Sequence, residues 1–468
     1  MGKILLKNID LIVTMDKNFT EIENGDIFIE NNIIKDIGKN LEYNADRIIN
    51  CEGLVAYPGF VNTHHHLFQT LTRNIPYLQD VKLFDWLVGL YEIWRELTPE
   101  GVYISALVGM AELLLTGCTT TTDHLYLFPK KQPKDLIDYE IKAAKDIGIR
   151  FIPTRGSMSR GKSKGGLPPD DVTQNEDEIM KDCERLVKTY HNPEKYSMLR
   201  IALAPCSPFS VTTELLKETA NFAKKYNLRC HTHIAETLDE EEYCLNVYGK
   251  RPVEYMEEVG WLGENFWYAH CIYLNDDEIK LMSKTKTGVA HCPVSNLRLG
   301  SGIAPVAKML ENNVLVGLAV DGSASNDSSN MLFEMKLALL VHRVQSGVSS
   351  MPAYNVLKMA TNYGAKILGF DEIGSLKKNK AADIALFKIN SIEYAGALHD
   401  KSTAILFAGN NQTTEYTIVN GKIVVEKGNL VNINKDEIFF KANEIAHNML
   451  KNASTKTGIN YYKRQIVK

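Results

Sequence analysis

Gly59-Phe60-Val61-Asn62-Thr63-His64-His65-His66 ends an apolar run, residues 57–66, that reads as a buried strand. Side chains two apart on a strand share a face, so His64 and His66 converge on one point while His65 faces the other way. Neutral imidazoles at that spacing suit a catalytic metal, because nitrogen ligands hold zinc or iron and leave positions open. Histidine-rich patches are also common surface accidents, so the reading depends on the rest of the chain.

Seven further strand-like runs lie downstream, at 117–124, 149–158, 199–208, 228–236, 266–274, 288–296 and 314–321. Helical segments separate them; 101–115, for example, carries Leu107, Met110, Ala111 and Leu114 at helical spacing. Strand–helix alternation repeated eight times predicts an α/β fold, a parallel (β/α)8 barrel of the TIM type, over residues 57–375. Residues 1–56 and 376–434 have another texture, short strands and turns, with an Asn420-Gly421 hairpin signal in the second. These two pieces are expected to form a small composite β-sandwich domain from both chain ends. Residues 435–468 read as helical, with Ile438, Phe439, Ala442, Ile445 and Met449 on one face.

The chain has 468 residues, 44% hydrophobic and 24% charged, which is the balance of an ordinary soluble globular protein with a large core. A net charge of -4 offers no basic face for nucleic acid. The basic stretch Arg160-Gly161-Lys162-Ser163-Lys164-Gly165-Gly166 reads as a solvated loop rather than an anion clamp. Eight scattered cysteines without a C-x-x-C pair fit reduced thiols. The first residues lack a signal-peptide core, and no run approaches the ~20 apolar residues that span a bilayer. A cytoplasmic enzyme, homo-oligomeric and acting on a small molecule, is expected, with neither membrane nor nucleic acid as partner.

Chemistry in such barrels sits at the C-terminal ends of the strands. Those ends carry His64 and His66, then Asp123 and His124, Arg155, His233 and Glu236, His270, His291, and Asp321. His64, His66, His233 and Asp321 make a coherent ligand set for one divalent metal, which would lower the pKa of a bound water. Glu236, three residues past His233, is expected to move a proton between water, substrate ring and leaving group. His270 is expected to orient the nucleophile or stabilise negative charge. Asp321 would serve twice, as ligand and as proton acceptor. Taken singly, His233 is as much at home as a buried, hydrogen-bonded histidine, which is also the reading for His231. The fourth strand, Ile201-Ala202-Leu203-Ala204-Pro205-Cys206-Ser207-Pro208, has no lysine to bridge a second metal, so one metal is expected.

Pro58-Gly59-Phe60-Val61-Asn62-Thr63-His64-His65-His66, His231-Thr232-His233-Ile234-Ala235-Glu236-Thr237, Ala269-His270-Cys271 and Val320-Asp321-Gly322-Ser323 closely resemble the amidohydrolase superfamily, above all its aminohydrolase branch of deaminases and dechlorinases. The resemblance covers essentially the whole chain. It implies a mononuclear site, zinc as a rule with iron as the alternative, and hydrolytic replacement of an exocyclic amine or halide on a nitrogen heterocycle. Thr154-Arg155-Gly156-Ser157-Met158-Ser159, Ala204-Pro205-Cys206-Ser207-Pro208-Phe209-Ser210 and Gly322-Ser323-Ala324-Ser325-Asn326-Asp327 are similar to bacterial 8-oxoguanine deaminases, though hydroxytriazine aminohydrolases share much of the set. Tyr273 departs from the His-x-x-His pattern of many relatives, which touches fine tuning rather than the role implied for His270.

The residues themselves also favour a flat polar heterocycle. Gln69 offers donor and acceptor to an amide–imine edge, and Trp86 has a face on which a ring can stack. Arg155, Cys206 and His291 are expected to face the same mouth, Arg155 either on a ring carbonyl or in a structural ion pair. The stretch from Gly156 to Pro169 reads as a lid. The expected reaction is deamination of 8-oxoguanine to urate and ammonia, with guanine or isocytosine as related substrates. Hydroxytriazine N-alkylamine or chloride hydrolysis and amide ring opening are the alternatives. A metal-free structural relative would have lost ligands that are all present here.

Overall fold

The computed structural model describes residues 2–409 and 413–465; residue 1 and residues 466–468, at the outer ends of the expected terminal segments, lie outside them. Eight strands, Phe60–Asn62, Cys118–Leu125, Arg150–Ser157, Ala202–Pro205, Cys230–Ile234, Phe266–His270, Gly288–His291 and Val316–Leu318, pair in chain order, each parallel to the next. The Thr63 amide donates to the Leu318 carbonyl at 3.0 Å and the Asp321 amide to the His64 carbonyl at 3.2 Å, which returns the eighth strand to the first. The two-residue strands His65–His66 and Asp321–Gly322 continue that closure. The result is an α/β barrel of the expected TIM type.

Strands covered on both faces need apolar or β-branched side chains throughout. Cys118–Leu125, with four consecutive threonines, is buried at every position. The intervening helices begin where a side-chain oxygen accepts a backbone N–H of the first turn, as at Thr98, Thr212, Thr237 and Asn275.

A second sheet of nine strands takes five from Lys3–Val13 through Leu54–Pro58 and four from Ile384–Lys388 through Asn429–Leu430. Asn420 and Gly421, at φ 49° and 78°, make its Asn-Gly hairpin. Its side chains alternate between two cores: Leu54, Ala56, Ile384 and Leu386 pack within the sheet's own core, while Val55, Tyr57, Ala385 and Phe387 join the barrel's. The run 57–66, read as one strand, is therefore two, since Tyr57 and Pro58 pair with Ala385 and Ile384 in this sheet. The C-terminal helix, Lys435–Thr457, buries Ile438, Met449, Leu450 and Ala453. Phe439, expected on the same face, is 61% exposed, because one helical step turns it about 100° from Ile438. No helix among the described residues is long and apolar enough to cross a membrane.

Candidate active site

Four polar atoms meet at the C-terminal mouth of the barrel. His64 Nε2 lies 3.1 Å from Asp321 Oδ1, His66 Nε2 3.4 Å from the same oxygen, and His66 Nε2 3.1 Å from His233 Nε2. Ligands bound at ~2.0–2.2 Å around one cation stand roughly 3 Å apart, so these separations match a shared ion. All four side chains are buried.

Hydrogen bonds on the far side of each ring decide which nitrogen points inward. His66 Nδ1 is 2.8 Å from the His124 carbonyl and His233 Nδ1 is 2.6 Å from the Cys206 carbonyl. A carbonyl only accepts, so both Nδ1 atoms carry the proton and both Nε2 atoms present lone pairs. For His64 the same result passes through His231, whose Nδ1 donates to the Trp267 carbonyl at 2.9 Å and whose Nε2 accepts from His64 Nδ1 at 2.7 Å. Burial keeps these rings neutral: it holds His64 well below the ordinary imidazole value and pulls His233 down to about 3. Two bare nitrogens facing each other at 3.1 Å, beside a His64 Nε2 that makes no hydrogen bond, form a donor set that fits a cation. His124 belongs to the same cluster and stacks on His233 at 4.9 Å, but its Nε2 is committed to the Ala204 carbonyl at 2.8 Å.

Glu236 and His270 stand beside this centre. His270 Nε2 is 3.6 Å from Glu236 Oε2 and 4.0 Å from Asp321 Oδ2, too far for a hydrogen bond and close enough for both to touch one substrate atom. Burial, reinforced by the Asp321 charge, raises Glu236 above the usual carboxylate range despite the opposing pull of His270. Burial pulls His270 down, yet the Glu236 and Asp321 carboxylates and the Asn296 Oδ1 that accepts from its Nδ1 at 2.8 Å leave it raised overall. The backbone is strained where these groups are presented: Ala235, His270 and Asp321 have φ of 53°, 72° and 59°.

The surrounding cavity encloses about 490 Å³, counting its open mouth. Gln69, Trp86 and Cys206 line it, as do Tyr91 and Tyr126. Gln69 Oε1 has no hydrogen-bond partner and sits where a Cβ on Gly322 would come within 1.9 Å, so only glycine at 322 leaves room for the amide.

Arg155 and His291 do not line the cavity. Arg155 Nε pairs with Asp182 at 2.5 Å, its Nη2 donates to Gln174 at 2.7 Å and its guanidinium lies 4.1 Å over the Phe128 ring, the structural ion pair rather than the ring-carbonyl contact. His291 packs behind the site, its Nε2 2.9 Å from His342 Nε2. The expected lid is also displaced. The Ser159 and Arg160 amides donate to the Ser210 carbonyl, and the cavity is lined by Leu83, Leu87, Phe209 and Leu299 rather than by residues of 156–169. Arg160 itself is half-buried, its guanidinium reaching the Tyr243 and Tyr248 hydroxyls.

Several participants escape a reading based on strand ends alone. Ser295 and Ser325 donate to Asp321 Oδ2 at 2.6 and 3.3 Å, from the short helices after strands seven and eight. Glu240 accepts the Ala235 and Glu236 amides at 3.0 Å each and so holds the bend that aims Glu236. Glu240 did leave a signal: Thr237-x-x-Glu240 has the capping-box pattern, with Thr237 accepting the Glu240 amide and the glutamate reaching back past the cap.

The chain is similar to known proteins. The amidohydrolase family profile matches residues 55–424. An 8-oxoguanine deaminase from Pseudomonas aeruginosa is 46% identical over 352 residues, 75% of this chain and 78% of that protein. Hydroxydechloroatrazine ethylaminohydrolase from a Pseudomonas species is 33% identical over 91% of this chain and 92% of its own length. The zinc complex of atrazine chlorohydrolase TrzN from Arthrobacter aurescens superposes with a TM-score of 0.90 at 32% identity, covering 95% of this chain and all of that one. With its profile match running from the sheet's Val55 through all eight barrel strands, this chain belongs to the amidohydrolase family.

Proposed function

We propose that the protein hydrolytically deaminates a flat, uncharged, purine-like heterocycle, 8-oxoguanine first, with guanine and isocytosine as related substrates. Family membership and deaminase relatives make it a hydrolase of C–N bonds in cyclic amidines. The observation that carries the reading is the convergence of three bare imidazole nitrogens and Asp321 Oδ1 beside the Glu236–His270 pair, on the floor of the cavity. Among the described residues neither lysine nor arginine lines that cavity, which disfavours phosphorylated or carboxylated substrates, while Trp86, Tyr91 and Tyr126 supply aromatic walls for a ring.

His64, His66, His233 and Asp321 would hold one divalent cation, zinc in preference to iron, and no lysine stands on Ala202–Pro205 to bridge a second. Bound there, the cation supplies Lewis acidity and brings the pKa of a coordinated water toward neutrality. Glu236, raised above the usual carboxylate range by burial, takes a proton from the attacking water, gives it to the ring nitrogen next to the amino-bearing carbon, and then relays the remaining hydroxyl proton to the departing amine. His270 faces the oxygen on which negative charge grows, its Nδ1 held by Asn296. Asp321 keeps its second oxygen on Ser295 and Ser325, available to pass a proton onward. Gln69 reads the substrate edge through its unpartnered Oε1, and Cys206 lies against it.

Apolar residues at the mouth, Leu83, Leu87, Phe209 and Leu299, favour a second reading, removal of an N-alkylamine from a hydroxytriazine. Release of ammonia or ethylamine from 8-oxoguanine, guanine, isocytosine and N-ethyl hydroxytriazines by metal-analysed protein separates the two. At least tenfold higher kcat/KM on 8-oxoguanine is expected; faster ethylamine release overturns the assignment.

A further inference from the structure

Barrel strand three begins beside the second sheet, and a cleft of about 1040 Å³, counting its open mouth, lies where the two meet. Ile149 and Phe151, at the start of that strand, form part of its wall, so it stands at the end of the barrel opposite the catalytic mouth. Ile141 and Ala144 from helix Leu136–Ile147, Leu199, and Val419 from strand Tyr416–Val419 complete the apolar lining. Tyr190 offers its ring, because its hydroxyl is engaged in donating to Asp138 Oδ1. Apolar walls around a space of this order suit a small ligand with an apolar body.

The charged side chains of the lining have one sign. Lys145 and Lys422 are both exposed, the first on the barrel helix and the second on the hairpin of the second sheet. Among the described residues no carboxylate lines the cleft, and neither lysine is in an ion pair. The acids beside them are committed elsewhere: Asp146 pairs with Lys142 at 2.6 Å, Glu426 with Arg47, and Asp138 with Arg185 at 2.6 Å. Two unpaired ammonium groups beside apolar walls complement a ligand that is apolar along its length and anionic at one end. No arginine lines the cleft, and a helix reaches it only through its middle and its C-terminal end. The fork of donors and the helix N-terminus that phosphate groups favour are therefore missing, and two point charges suit a single carboxylate.

We propose that this cleft is a second binding site, for an aliphatic carboxylate of the fatty-acid type. Its chain lies against Ile149, Phe151 and Val419 and its carboxylate meets Lys145 and Lys422. The walls belong to both domains, which adjoin here through Asn420 Oδ1, the acceptor of Arg150 Nη2 at 3.4 Å. The ligand therefore bridges the domains and stabilises the folded chain.

Isothermal titration of the full chain with hexanoate, octanoate and decanoate, each below its micellar concentration, tests this. One equivalent per chain is expected, bound roughly fourfold more tightly for each methylene added, the ratio for burying one CH₂. The thermal midpoint should rise with ligand concentration. Octanol and octylamine are expected to bind about tenfold or more weakly than octanoate, since neither offers an anion to the lysines. Lys145→Glu combined with Lys422→Glu should cost octanoate a similar factor. Both side chains are exposed, so the unliganded double variant should keep the wild-type thermal midpoint. Lys280→Glu, equally exposed on another helix, should leave octanoate binding unchanged and so separates a local contact from a change in net charge. Absence of saturable octanoate binding, octylamine binding as tightly as octanoate, a double variant with wild-type affinity, or an equal loss in Lys280→Glu overturns the proposal.

Discussion

Two buried clusters of charge sit at opposite ends of this barrel, and they differ in whether their hydrogen bonds are complete. At the N-terminal end, Arg150 on strand three meets Asp383 from the second sheet with both Nε and Nη2 at 3.1 Å. The Tyr196 and Ser197 carbonyls and the Asn420 amide satisfy what remains. At the C-terminal end, His64, His66, His233 and Asp321 also surround one another, but their inward nitrogens carry lone pairs and find no donor. A saturated buried cluster holds two domains together; an unsaturated one with converging acceptors leaves room for a cation.

The sharpest way to break the contrast is to delete a ligand. His64→Ala is expected to abolish metal retention and reduce turnover to the buffer rate, read by elemental analysis and ammonia release; retained metal would move His64 out of the ligand set. Glu236→Gln should keep the metal and lower kcat by about 10³-fold, within the range for a lost acid–base group. Near-normal turnover would sink its assigned role. At the other end, Asp383→Ala strands the Arg150 charge and should cost about 3–5 kcal/mol in urea unfolding, while metal content and KM stay unchanged.

The smallest effect lies in the pH profile. His270 binds its proton more tightly than an ordinary imidazole, so the imidazolium is complete below about pH 6.5 and lost as pH rises through the raised value. Removing the Asn296 acceptor lowers that value. Asn296→Ala should therefore move the alkaline limb of kcat/KM to lower pH with kcat largely retained; an unmoved limb would assign it to another group.

The barrel was legible because its strands are apolar or β-branched runs, most of them with a histidine or aspartate at the C-terminal end, and eight repeats leave few alternative topologies. Arg155 and His291 mark the limit of that argument. Both stand at strand ends, yet a side chain there reaches the cavity only if no partner outside it competes. Asp182 and His342 are such partners. The 156–169 stretch, read as a lid, does not line the cavity, and glycine and proline content says nothing of the Ser210 carbonyl that holds its Ser159 and Arg160 amides.

By itself the sequence determined the fold class and put His64 and His66 on one face, because strand periodicity and the His-x-His spacing are local properties of the chain, while the reaction class followed from its resemblance to the amidohydrolase superfamily. Only the tertiary structure decided which nitrogen of each imidazole faces inward, which serines hold Asp321, and that Glu240 aims Glu236. Those outcomes depend on carbonyls and hydroxyls brought from strands and turns far apart in sequence, and no local pattern encodes where such atoms will stand.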